Sequence, residues 1–407
     1  MMNVSYVKLV LCLLALAVLS PTAVAQDEAA SFTGFWDTTY GLLELQQTGT
    51  SVVGSYSYGG GSTVQGTVEG NRLTFTYMEP TATGEGWFEL SPTGDRISGQ
   101  WSESGSSDWF EWNGTRVEAP PTVVANTGLE GLFDSTYGRL RLSQSGNEVR
   151  GSYTFGGGST IEGTVEGNRL TFTYQEPSAS GEGYFELSSD DRTLTGGWRT
   201  SPQGEWTGWT GERITPDPGT VWLVVLEAHW EHSLAEHEYA FGDMLRAYFE
   251  RMPHVRVRHR RFYDQDDFVR TASELAYLAE PVFLLIASHG SGGSLAVNGD
   301  AIGPEVIRDV LVNAPNVFGV HFSACEIMVG ETPSLIQAGL PEGRHVALSG
   351  YATAVDWSAS ALIEFLYLDL ILGRGMLPES AANVVMEELD FAGDDNAASP
   401  LGSAQFR

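Results

Sequence analysis

Two side chains in this sequence are of the types that make and break acyl bonds, and each stands at the end of an apolar run. Val282-Phe283-Leu284-Leu285-Ile286-Ala287 leads through Ser288 to His289, and Val317-Phe318-Gly319-Val320-His321-Phe322 leads through Ser323-Ala324 to Cys325. A cysteine nucleophile needs thiolate character, an imidazole to move protons, and N–H donors for the developing oxyanion. Cys325 and His289 supply the first two if their strands are neighbours. The backbone N–H groups of Gly290 and Cys325 supply the third. Gly290 has no Cβ, so a substrate carbonyl can approach its amide closely. Alone, a histidine after an apolar strand is an ordinary polar strand end, and a cysteine is an ordinary core residue. The pair, with glycine behind the histidine and a small residue before the cysteine, carries the signal.

The elements that must hold this pair follow from the pattern around it. Each apolar run reads as a fully buried parallel strand, short, continuous and bounded by small or turn residues. In open α/β sheets, ligands bind outside the carboxyl ends of the strands. The surrounding chain alternates strand and helix from Val221 onward. Val221 to Leu226 reads as a strand, Ser233 to Arg251 as an amphipathic helix, and Val255 to Arg258 as an edge strand. Asp264 caps the next helix, which runs to about Leu278. A hairpin is expected around Asn298-Gly299-Asp300, a helix from Pro304, and a strand at Val346 to Ser349. Helices follow from about Trp357 to Leu372 and from Pro378 to Leu389. This order predicts a mostly parallel sheet with helices on both faces.

The first half of the chain has a different grammar. Residues 32–116 and 128–214 are an internal repeat at an offset of 97, and Gly54 to Pro80 matches Gly151 to Pro177 at 22 of 27 positions. Short segments alternate polar and apolar, with turn signals about every ten residues, which reads as an antiparallel meander of seven or eight strands. A small up-and-down barrel or a sandwich hides the edges of such a meander. Copy one carries Trp36, Trp87, Trp101, Trp109 and Trp112. They serve either as core and girdle or as the surface for a carbohydrate or protein ligand. All eight histidines lie after residue 228, so chemistry belongs to the last unit. Pro-rich linkers at 118–122 and 215–219 separate the three units.

Composition narrows the function classes. The chain has 407 residues and a net charge of −30, from 52 acids against 22 bases. That balance argues against nucleic acid and against anionic membranes as partners. Met1 to Ala25 reads as a secretory signal: Lys8, an apolar core from Leu9 to Leu19, and a small-residue site ending at Ala25. The expected product is secreted or periplasmic, with no membrane span. Removing the signal removes Cys12 and leaves Cys325 as the one cysteine. No cofactor is expected. Glu227, His229, His232 and His237 crowd the first strand end, and their spacing is a weak metal pattern.

An apolar strand ending in His-Gly, then an apolar strand ending in Ala-Cys, resembles the dyad signature of the caspase-like cysteine peptidases. The wording here is closest to bacterial CHAT-like and clostripain-like members, and the Gln that caspases place before Ala-Cys is absent. The resemblance covers about residues 219–407. It implies a caspase-type α/β sandwich with a mostly parallel sheet, His289 as general acid/base, Cys325 as nucleophile, and hydrolysis of peptide or protein substrates through an acyl-enzyme. It also implies that the loop Ser349 to Trp357 helps build the specificity pocket. There Asp356 is a candidate partner for a basic substrate residue or a cap for the helix after it. Ser288 and Glu326, which flank the dyad, join Asp356 as candidate substrate-binding residues. The competing expectation is a catalytically silent caspase-like fold in an extracellular binding or scaffold protein.

Overall fold

The computed structural model describes residues 31–58, 61–118, 128–231, 233, 235–236, 240–341, 343–388 and 406. The expected secretory signal lies outside them, as do His232, His237 and most of the first linker.

Each repeat forms a closed barrel of eight antiparallel strands. The first runs from Gly34–Thr38 to Phe110–Val117, and closure pairs these two strands, with Phe35 opposite Val117. The second runs from Gly131–Ser135 to Thr207–Arg213, which close on each other in the same way. Period-two patterning drives this. In Arg72–Met78 the side chains of Leu73, Phe75 and Tyr77 are buried, and Arg72, Thr74, Thr76 and Met78 are exposed. Only one face of each strand needs cover, and closure supplies it while leaving no open edge. The barrel therefore replaces the sandwich alternative. Trp36 and Trp112 lie fully in the first core, and the Trp112 Nε1–H donates to Thr38 Oγ1 at 2.9 Å. Trp209 does the same to Ser135 in the second barrel, at 3.1 Å. Trp87 lies under the Arg72 guanidinium, and Trp109 is exposed.

The remaining chain forms an α/β unit. Its strands are β1 (Val221–Ala228), β2 (Val255–Phe262), β3 (Val282–Ala287), β4 (His289–Ser291), β5 (Ser294–Val297), β6 (Asp300–Ile302), β7 (Val317–Ser323) and β8 (Ala347–Gly350). Its helices are α1 (Phe241–Phe249), α2 (Gln265–Ala272), α3 (Pro304–Asn313), α4 (Thr332–Gln337), α5 (Trp357–Leu368) and α6 (Pro378–Glu388). Five strands make a parallel sheet in the order β2-β1-β3-β7-β8. Strands β4, β5 and β6 form a separate antiparallel sheet. Helices α2, α3 and α4 pack on one face of the parallel sheet through Phe268, Ile307 and Ile336. Helices α1, α5 and α6 cover the other through Leu245, Ile363 and Val385. Every side chain of β3 is buried, as two covered faces require. Among the described residues no helix is long and apolar enough to cross a membrane.

One sequence expectation needs correction, and one is extended. The first helix starts at Phe241, not at Ser233. Glu227 at the end of β1 accepts from the Phe241 and Gly242 N–H groups, both at 3.0 Å. A carboxylate on those two orphan donors fixes the helix start there. The expected hairpin at Asn298-Gly299 is present, and another at Gly292-Gly293 precedes it. All four residues have positive φ, the geometry of a two-residue turn that follows strand twist.

Both barrels bond to the α/β unit. In the first, the Leu42 N–H and Ser57 Oγ donate to the Gly375 carbonyl at 3.2 and 2.9 Å, and Ser380 donates to Asp37. In the second, Arg139 donates to the Tyr277 carbonyl at 2.8 Å and Arg141 to the Ala276 carbonyl, while the Tyr277 hydroxyl donates to Ser152 at 3.0 Å.

Candidate active site

Strands β3 and β7 are neighbours, with Ala287 opposite Ser323. His289 and Cys325 each lie two residues past that last pair, so the sheet delivers both to the same end. The chain steps from β1 outward to β2 and then to β3 on the other side of β1. That reversal opens a crevice at the carboxyl ends of the strands. A cavity of about 520 Å³ occupies it, lined by Glu227 of β1, His289, Cys325 and the aromatic side chains Trp230, Phe241 and Trp357.

Gly290 brings the two strand ends together. A Cβ at this position would overlap the Cys325 carbonyl oxygen, so any other residue would push them apart. In the hairpin, Ser291 pairs with Ser294 across the two-residue turn, and Gly290 pairs with Leu295. Antiparallel pairs alternate between bonded and non-bonded. Gly290 therefore falls in a non-bonded pair, and its N–H is not spent on the hairpin. The hairpin tip is tied to the cysteine loop, since the Gly293 N–H donates to the Glu326 carbonyl at 2.9 Å. Glu326 itself has a φ of 51°, a left-handed backbone that turns the chain sharply after the cysteine.

The Cys325 thiol is half-buried and held by the backbone of Val355. It donates to the Val355 carbonyl at 3.7 Å and accepts from the Val355 N–H at 3.4 Å. The loop containing Val355 is in turn tied back, because the Glu326 N–H donates to the Thr353 carbonyl at 3.2 Å. His289 is exposed on one side, and on the other its ring meets that of Trp230 edge-on, with centroids 5.0 Å apart and planes at 88°.

Trp230 leads to the charged centre beneath the crevice. Its Nε1–H donates to Glu227 Oε1 at 2.7 Å. Glu227 is fully buried, and His259 Nε2 lies 2.9 Å from Oε2. Burial alone would raise the Glu227 carboxyl, but the His259 pairing and the donated N–H groups outweigh it and hold it below its usual range. Burial alone would lower His259, but Glu227 and Asp243 outweigh it and hold the imidazole above its usual range. Both shifts favour the charged forms, carboxylate and imidazolium.

The other expected site residues stand apart from this centre. Ser288 lines the cavity, but its hydroxyl donates to the Ala296 carbonyl at 2.9 Å. The Glu326 carboxylate lies 3.5 Å from Ser291 Oγ. Asp356 accepts from the Ser358 and Ala359 N–H groups, each at 3.0 Å, and so caps α5. Neither Glu326 nor Asp356 lines the cavity. The ring of His229 stacks on Tyr263. His321 is buried between Ser349 Oγ at 3.0 Å and Glu364 at 3.4 Å. Sequence reasoning placed Glu227 only in the weak metal pattern. The missed signal is an acid inside the otherwise apolar run Val221 to Ala228.

No protein-family model matches this chain, and no curated protein matches it. Among solved structures it is similar to the crystal structure of caspase-1 from Spodoptera frugiperda. The two are 8% identical over 46% of this chain and 83% of that one, with a TM-score of 0.32.

Proposed function

We propose that this chain is an exported, caspase-like cysteine endopeptidase whose dyad is Cys325 and His289. The observation that carries the reading is the convergence of both side chains on one cavity at the carboxyl ends of adjacent parallel strands. The His-Gly and Ala-Cys wording of those strand ends supports it.

In this reading His289 takes the thiol proton, and the Cys325 Sγ attacks the scissile carbonyl carbon. The negative charge that develops on the carbonyl oxygen meets the N–H groups of Gly290 and Cys325. Collapse of the tetrahedral intermediate breaks the C–N bond, and His289 returns the proton to the leaving amine. Water then hydrolyses the thioester, activated by the same imidazole. The Val355 backbone occupies the thiol in the resting protein, so the loop must yield its hold as substrate enters. The two barrels serve as spacing or binding modules for a protein or carbohydrate partner.

The test is digestion of an unstructured protein by the chain lacking residues 1–25, beside Cys325→Ala and His289→Ala. Turnover should fall on the order of 10³-fold or more in each variant, and iodoacetamide should abolish it in the parent with one added mass on Cys325. No cleavage by the parent, together with a thiol inert to alkylation from pH 5 to 9, would favour a silent fold in a binding protein.

A further inference from the structure

Resting on the peptidase reading, we infer that the cavity beside Cys325 accepts an apolar, aromatic-sized side chain on the acyl side of the cleaved bond, and that Trp230 sets this preference. The large side chains of the wall beyond the dyad are Trp230, Phe241, Val355 and Trp357, set among small residues and Glu227, and among the described residues no lysine or arginine lines the cavity. Among the described residues, a substrate aspartate or glutamate would therefore find no lysine or arginine there. Burying an unpaired carboxylate costs several kcal/mol.

A substrate lysine or arginine fares no better. Among the described residues the only carboxylate in the lining is Glu227, and its two oxygens are already committed. Oε1 accepts from Trp230 Nε1 and the Phe241 N–H, while Oε2 faces the Gly242 N–H and His259 Nε2. A carboxylate offers about four lone-pair sites, and all are spent inside the protein. Asp356, the other acid near the loop, is turned to the start of α5 and contributes nothing to the lining.

The same commitments make Trp230 a rigid wall. The bond from its Nε1 to a buried carboxylate fixes the ring, and the ring in turn supports His289 edge-on. A substrate ring entering beside it removes apolar surface from water, which favours binding. It also gains offset or edge-on contact with Trp230 and Phe241. The volume of about 520 Å³ leaves room for a whole phenylalanine or leucine side chain and part of the adjoining backbone.

The experiment uses the chain without residues 1–25 and fluorogenic peptides that differ only at the acyl-side residue: Phe, Leu, Ala, Arg, Lys and Asp. Expected is a kcat/KM for Phe or Leu about 10- to 200-fold above Arg, Lys and Asp, the range a filled apolar pocket supplies. Trp230→Ala should erase most of the gap between Phe and Ala, and Trp230→Phe should keep it. Asp356→Ala should leave the ranking unchanged. Cleavage that favours Arg, Lys or Asp overturns this inference while the peptidase reading stands. So does a ranking that survives Trp230→Ala. No turnover of any peptide overturns the peptidase reading and this inference together.

Discussion

The two barrels carry nearly the same core, yet the charged side chains they turn to the α/β unit meet opposite ends of helical segments. The surface they use is equivalent, because the offset of 97 places Leu42 and Glu44 of the first barrel where Arg139 and Arg141 stand in the second. In the second barrel those arginines donate to the Ala276 and Tyr277 carbonyls, the last ones of the 3-10 turn Ser273–Tyr277. Cations at a helix C-terminus satisfy orphan carbonyls and complement the dipole. In the first barrel Asp37 meets Ser380 and the Leu377 N–H, at the first turn of α6. An acid there complements the positive end of the helix. The counterpart of Asp37 in the second barrel, Asp134, is exposed. Duplication preserved the closed core, and a few edge substitutions redirected the docking face.

Substitution at that face tests this contrast, and the largest effect should come from the second barrel. Arg141→Ala removes charged donors from the Ala276 and Leu278 carbonyls. It should cost about 2–3 kcal/mol of stability at that contact. Denaturant unfolding should then show the second barrel parting from the rest, whereas a single unshifted transition would refute the assignment.

Asp37→Asn should act more weakly and in a pH-dependent way. Burial is the main influence on Asp37 and raises its carboxyl above the ordinary value of 3.8, against the opposing bonds from Ser380 and Leu377. For an acid whose folded pKa is raised, ionisation opposes the folded contact. The opposition is present above the folded pKa and relieved as pH falls toward 3.8. The neutral amide should therefore change stability by less than about 1 kcal/mol at neutral pH and flatten the pH dependence below it. A steeper loss on acidification in the variant would contradict that sign. The smallest effect belongs to Leu42→Arg, which copies the second barrel's cation into a face whose charged contact, through Asp37, is with a helix N-terminus. A loss near 0.5 kcal/mol is expected, and a gain would mean that the edge residues do not select the contact.

The same division between core and edge decides what was legible in the sequence. Alternation such as Leu73-Thr74-Phe75-Thr76-Tyr77 is a local property, and it announced the strands directly. The buried strands β3 and β7 were legible for a similar reason, as continuous apolar runs with small or turn residues after them. Their adjacency was not, because register between distant segments depends on the whole sheet. The start of α1 was misread for that reason too. The residues before Phe241 suit a helix, but a carboxylate fourteen positions earlier in the chain caps Phe241 instead. The cap role of Asp356 was readable from its local wording, Asp-Trp-Ser-Ala. The anchoring of Trp230 by Glu227 was not, since it requires knowing that the acid points inward from β1.

The grip of Val355 on Cys325 gives the protein a built-in clock. In the chain without residues 1–25, Cys325 is the sole thiol, so every alkylation event reports on one atom. The Val355 backbone holds that atom through both of its bonds, so labelling is expected to speed up as the loop lets go of it. The dependence of the labelling rate on peptide concentration then shows whether a bound peptide loosens that hold.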